Sequence, residues 1–168
     1  MLSTGRAKNS FWGGPRSPTL SDWVKLFSDQ DGARWAIAGT ITFREFHPVT
    51  RRRRGPDIPV SVAKTLLARV NKRLYNHRAK RHGATVASLM ILGTNPSGEV
   101  THLHFVLGSP PGMEFKSYSS SVERIIRQLY WCDREFDLQP YRDSGWLRYL
   151  LAHGTEKLII ECCIGARS

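Results

Sequence analysis

Two apolar runs, ATVASLMILG (84–93) and THLHFVLG (101–108), stand on either side of NPSGEV (95–100), a turn carrying both proline and glycine. Runs this short, bounded so closely by turn residues, read as paired antiparallel strands of a hairpin. A hairpin needs a larger sheet to be stable in water. RWAIAGTITFRE (34–45), with its β-branched and aromatic residues, supplies a central strand, and EKLIIECCI (156–164) a last one.

Helices fall between these strands. From Val60 to about His77, Ala63, Leu66, Leu67, Val70 and Leu74 recur at helical spacing, while Lys64, Arg69, Lys72 and Arg73 take other positions. Ser120 followed by Glu123 has the form of a capping box and predicts a second helix with Val122, Ile125, Ile126 and Leu129 on its apolar face. GWLRYLLAHG (145–154) predicts a third helix closed by Gly154, and Ser21 caps a short one through DWVKLF (22–27). The order is mixed rather than alternating, which favours an α+β domain with a mainly antiparallel sheet over a doubly wound one.

The chain has 168 residues, enough for one domain and too few for an added motor module. Residues 1–20, rich in Gly, Ser and Pro with basic side chains, read as a loose basic arm, and 21–168 as the folded domain. Against 14 Asp+Glu the chain sets 25 Lys+Arg, a net charge of +11. A surplus of that size makes nucleic acid the leading partner class, ahead of an anionic membrane or an acidic protein. No stretch approaches the ~18 apolar residues of a membrane span, and the N-terminus lacks the apolar core of a secretory signal. Cys132, Cys162 and Cys163 are odd in number and lack C-x-x-C spacing, which argues against a disulfide framework or zinc knuckle and for a reducing interior.

In a strand the side chains alternate, so Leu103, Phe105 and Leu107 point to one face and His102 and His104 to the other. With the apolar set in the core, the two imidazoles share the opposite face, near enough to hold one cation. Two histidines lining the wet side of a sheet is the plainer alternative. Tyr149 and His153, one helical turn apart in 145–154, add the parts for metal-assisted attack of a phenol oxygen on a phosphodiester. Tyr149 packed in a core beside Trp146 and Leu150 is again the plainer alternative.

Taken in order, GTITF (39–43), HLHFVL (102–107) and WLRYLLAH (146–153) resemble the three motifs of the HUH endonucleases, specifically the rolling-circle replication initiator (Rep) proteins. The resemblance implies an α+β fold, a central five-stranded antiparallel sheet with flanking helices, of RRM or ferredoxin-like type. It implies site-specific nicking and rejoining of single-stranded DNA through a 5′-phosphotyrosine on Tyr149, with Mg²⁺ or Mn²⁺ held by His102 and His104. The implied partners are single-stranded DNA at a replication origin, including one presented by a hairpin, and a host helicase. The implied setting is the cytoplasm of a prokaryotic host cell, with a plasmid or phage encoding the chain.

Many Rep proteins carry lysine three residues after the tyrosine, where this chain has Ala152, with His153 one position on. That spacing is similar to the single-tyrosine transposases and makes His153 the expected third ligand. Family members often place a carboxylate on the strand before the histidine motif; SLMILG (88–93) has none, which leaves Glu99 in the turn and, behind it, Glu45.

Two basic segments, Arg51, Arg52, Arg53 and Arg54 on a mobile loop and Lys72, Arg73, Arg78, Lys80 and Arg81 further on, are expected to line a phosphate-binding groove, with Tyr75 stacking on unpaired bases. His47, His77 and His82 belong to the same basic surroundings. Two other readings remain open: a transposase or relaxase with the same chemistry, and a non-catalytic nucleic-acid-binding module on an RRM-like sheet.

Overall fold

The computed structural model describes residues 35–109, 112–142, 145, 146, 148, 158, 159, 162 and 163. The expected arm, the helix after Ser21, and most of segments 145–154 and 156–164, with Tyr149 and His153, lie outside the described residues.

The elements run β1 (Trp35–Phe43), α1 (Ile58–Tyr75), α2 (His77–His82), β2 (Ser88–Thr94), β3 (Val100–Gly108), α3 (Phe115–Arg127) and β4 (Cys132–Pro140). They form an α+β fold whose four strands lie in the order β2-β3-β1-β4, every neighbouring pair antiparallel. β3 and β1 are therefore the central strands, and the expected hairpin of 84–93 with 101–108 is the β2–β3 pair. The five-stranded sheet implied by the resemblance is a four-stranded one among the described residues. Along the outer edge of β2, Leu158 makes an isolated antiparallel bridge to Ile91, and Ile159 N–H donates to Met90 C=O at 3.0 Å.

One face of the sheet carries the main core. Ile37, Ile41, Leu103, Phe105 and Leu107 are fully buried there against Leu66, Val70, Val122 and Ile126 of α1 and α3. Burial on that scale, ~1.5–3 kcal/mol for each large apolar side chain, is what holds the helices down. Gly39 exists for this packing: a Cβ on it would stand 2.8 Å from Cε1 and Cε2 of the Phe105 ring directly opposite. Tyr118 of α3 is sunk in the same core, its hydroxyl donating to Gly108 C=O at 2.8 Å, and burial raises its pKa. Asn71 ties α1 to the start of β2, donating to Thr85 Oγ1 at 2.8 Å and accepting from Val86 N–H at 2.9 Å.

Three local expectations change. α1 starts two residues earlier than the periodicity suggests, with Pro59 in its first turn, and Asn76 at φ 48° separates it from the short α2, which Gly83 closes at φ 66°. α3 begins at Phe115, not at Ser120: Ser120 and Ser121 turn their hydroxyls back to Lys116 C=O and Ser117 C=O within the helix. Glu114, extended at φ −73° and ψ 141°, is the cap. β4 was not expected at all, because most of its side chains are exposed and four of its nine residues, Asp133, Arg134, Glu135 and Asp137, are charged, as befits an edge strand. Among the described residues no helix is long and apolar enough to cross a membrane.

Candidate metal centre and basic surface

The face of the sheet away from α1 and α3 holds the histidines. β3 alternates as its sequence requires, with Leu103 and Phe105 at 0% exposure and His102 and His104 half-buried on the other side. Their ring centroids are 4.6 Å apart with planes at 79°, one imidazole edge-on to the other. The cross-strand partners of His104 are Thr40 on β1 and Ile91 on β2; those of His102 are Thr42 and Gly93.

Each Nδ1 is committed to a hydroxyl. His104 Nδ1 lies 2.9 Å from Thr40 Oγ1, and His102 Nδ1 lies 2.8 Å from Thr101 Oγ1. In the tautomer with Nδ1–H donating to the threonine, Nε2 carries the lone pair, the feature a metal ligand needs. The His102 ring lies over Gly93, filling the space a Cβ there would occupy, with its Nε2 and Cδ2 nearest. Desolvation in that notch lowers the His102 pKa below 6.5, which favours the neutral, metal-binding form. Two oriented imidazoles suit a divalent cation and would supply two of its ligands. Among the described residues no group of three or more ligating side chains comes together.

The acidic residues named from sequence sit elsewhere. Glu99, at the β2–β3 turn, faces Arg54 at 3.8 Å and Arg53 at 3.9 Å, while Glu45 faces Arg53 at 3.5 Å. Both carboxylates thus belong to an ion-pair cluster at the end of the sheet. A carboxylate missed in sequence is Asp137, opposite Thr40 and so in the same cross-sheet row as His104, roughly 10 Å away at two inter-strand spacings. Its Oδ2 accepts from Gln139 Nε2 at 2.6 Å. Alternation of Phe136 and Leu138 with charged neighbours was the one signal that could have found it.

At the opposite end of the open face, Leu89, Ile91 and Val106 pack with Trp35, Tyr141, Trp146, Leu158 and Cys163. Trp146 stands beside His104, its ring 6.3 Å away and edge-on at 84°. Trp146, the first residue of the WLRYLLAH segment, therefore neighbours His104, while Tyr149 and His153 lie outside the described residues.

The arginine run, expected on a mobile loop, forms a cross-bonded hairpin. His47 N–H donates to Arg52 C=O at 2.8 Å, Arg51 N–H to His47 C=O at 3.0 Å and Arg54 N–H to Glu45 C=O at 2.7 Å, with Phe46 bridged to Arg53. Arg51, at φ 57°, supplies the left-handed corner that lets the chain turn back. Arg54 is no surface contact either: its side chain is 7% exposed, donates to Arg44 C=O and Val100 C=O, and lies over the Phe43 ring. Burial lowers its pKa, opposed by Glu99 and Glu45. His47 is likewise structural, accepting Val49 N–H and Thr50 N–H on Nδ1.

Arg51, Arg52, Arg53, Lys72, Arg73, Arg78, Lys80 and Arg81 are all exposed. Those of α1 and α2 belong to helices on the far side of the sheet from the histidines, so the two basic segments do not form one groove with the imidazole pair. A shallow cavity of about 660 Å³ runs along the outer face of α1, past Lys64, Arg69 and Lys72. Tyr75 is half-buried against the core, where desolvation raises its pKa. No protein-family model, curated protein or solved structure matches the chain.

Proposed function

We propose that the chain is a metal-dependent, tyrosine-using single-stranded DNA endonuclease and strand transferase of the HUH type, acting as a rolling-circle replication initiator. The observation that carries this reading is the His102–His104 pair, set edge to face on the open side of a central strand with each Nδ1 bonded to a threonine hydroxyl. The element order βαββαβ with strands 2-3-1-4 is that of ferredoxin-like sheets, the arrangement expected under such a site.

In this reading His102 and His104 hold Mg²⁺ or Mn²⁺, which would neutralise charge on the scissile phosphate. Thr40 and Thr101 orient the imidazoles. The Tyr149 oxygen bonds to phosphorus, the bond from phosphorus to O3′ breaks, and the freed 3′-hydroxyl leaves with a proton while the 5′ end stays on the protein. Support for Tyr149 comes from chain length: it is three residues from Trp146, a reach of at most about 11 Å. His153 is proposed as a further ligand by its place one turn after Tyr149.

A non-catalytic RRM-like module shares the βαββαβ order. Its central strands would need base-stacking aromatics on the open face. Around the middle of that face β1 and β3 instead present Ala38, Thr40, Thr42, His102, His104 and Val106, and Trp35 at the start of β1 is packed beside Tyr141, which favours the metal site.

The test is incubation with a pool of labelled single-stranded DNA and Mn²⁺, followed by a search for a detergent-stable protein–DNA adduct. The adduct should need the metal and be lost in Tyr149→Phe and in His102→Ala/His104→Ala. An adduct that survives Tyr149→Phe, or none from the whole pool, sinks the reading. A transposase or relaxase role would give the same adduct and differ only in the sequence selected from the pool.

A further inference from the structure

Three of the four large apolar side chains exposed among the described residues lie on or next to the arginine hairpin, Met113 being the fourth. Phe46 is 48% exposed, Val49 74% and Tyr130 67%. Phe46 and Val49 flank His47, whose ring lies 5.5 Å from Tyr130 and 5.1 Å from Trp131. Arg44 N–H donates to Trp131 C=O at 2.9 Å, so the start of the hairpin runs beside the turn that opens β4. A monomer gains nothing by holding two large aromatic rings in water, least of all on a cross-bonded hairpin.

The surroundings select the occupant. Arg51 and Arg52 are exposed with no carboxylate within ion-pair distance among the described residues, whereas Arg53 is balanced by Glu45 and Glu99. Exposed aromatics interleaved with unneutralised arginines on a fixed frame are the chemistry that takes unpaired nucleotides: rings stack on bases, guanidinium groups pair with phosphates. A protein partner's apolar patch would be poorly matched to the arginines.

The position fits a strand passing the histidines. The hairpin leaves the end of β1 just beyond Thr42, the cross-strand partner of His102, and four residues of chain from Thr42 to Phe46 span at most about 14 Å. Arg54 anchors it to Val100, two residues before His102. We infer that Phe46 and Tyr130 form a base-stacking platform which, with Arg51 and Arg52, holds the unpaired nucleotides flanking the segment at the imidazole pair. This rests on the proposed reading for its ligand, single-stranded DNA, and not for its measurement, which needs no cleavage.

The experiment is fluorescence anisotropy of the full chain with labelled (dT)15 and with an abasic oligonucleotide of the same length, without divalent metal. Phe46→Ala/Tyr130→Ala should weaken (dT)15 binding by at least the roughly 5- to 150-fold of one lost base stack, and erase the preference for (dT)15 over the abasic strand. Tyr130→Phe should bind as wild type. Arg51→Ala/Arg52→Ala should weaken both oligonucleotides alike and flatten the log–log salt dependence by about 1.4, two phosphate contacts at ~0.7 each. Circular dichroism checks that the variants are folded. The platform is overturned if the aromatic double variant stays folded and keeps (dT)15 affinity within twofold. It is equally overturned if sedimentation shows that those substitutions abolish a dimer, which would make the patch a self-association surface. The nuclease reading is judged separately, by the Tyr149-dependent adduct.

Discussion

The His102 imidazole occupies the space above its cross-strand partner Gly93, so that a Cβ at position 93 would meet three ring atoms, the farthest of them at 2.7 Å. A glycine is thus required on β2 by a side chain on β3. Gly93→Ala should leave the sheet folded and swing the His102 ring off its seat, weakening Mn²⁺ or Co²⁺ binding by about tenfold or more, the usual cost of misorienting a ligand. Metal titration beside a thermal melt checks this; wild-type affinity in the variant would show that the ring has room to spare.

Thr40 should matter to the same site without touching the metal. Its hydroxyl is 2.9 Å from His104 Nδ1. Thr40→Val keeps the shape and deletes the oxygen, and roughly 10- to 100-fold in metal affinity should go with it. Thr40→Ser should restore most of the loss. Equal affinities for Val and Ser variants would remove Thr40 from the site.

Acid should destabilise the fold partly through His102. Burial holds its folded pKa below the 6.5 of an unfolded chain. Between those two values the unfolded chain binds a proton that the folded one does not, so stability is complete above about pH 6.5 and is lost as pH falls through the folded pKa. Urea midpoints at pH 7 and pH 5 should differ more for wild type than for His102→Gln. The same drop in both would assign the acid sensitivity to other groups.

Cys132 should be inert. It is 4% exposed, and burial pushes its thiol up to about 12, with Arg44 nearby only partly offsetting this. Iodoacetamide at pH 8 should leave Cys132 unmodified in the folded protein and alkylate it in denaturant, as read by peptide mass spectrometry. Labelling of Cys132 in the native protein at the rate of a free thiol would contradict its burial.

Arg54 and Arg52 should part company although the sequence presents them as equals. Arg54→Ala strips hydrogen bonds from two carbonyls and a cation from Phe43, and should cost about 2–3 kcal/mol by urea denaturation. Arg52→Ala, at an exposed position, should fall within about 0.5 kcal/mol of wild type. Similar losses for the two would mean Arg54 is not the pin.

These contrasts mark where sequence reasoning reached and where it stopped. Alternation along 101–108 was enough to put both histidines on one face and Leu103 and Phe105 on the other, because a period of two leaves no other choice once the apolar set is buried. It was silent on Thr40 and Gly93, since strand register joins residues about sixty and nine positions away that no local pattern connects. β4 was hidden by its own charges, and the start of α3 by serines whose hydroxyls bond back within the helix. Within Arg51–Arg54, four identical residues carry no local sign of which one turns inward. The hairpin geometry decides that.

The outer edge strand has a consequence of its own. Asp133, Glu135 and Asp137 are exposed carboxylates of β4, and Asp137, opposite Thr40, stands at the margin of the open face. They set a negative margin on the β4 side, which would repel a polyanion brought to that face, while the outer edge of β2 is lined instead by Leu158 and Ile159. At physiological salt such repulsion reaches about 8 Å, less than two strand spacings. The asymmetry would therefore be felt only within the last few ångströms of an approach, and it gives the open face one charged margin and one apolar one.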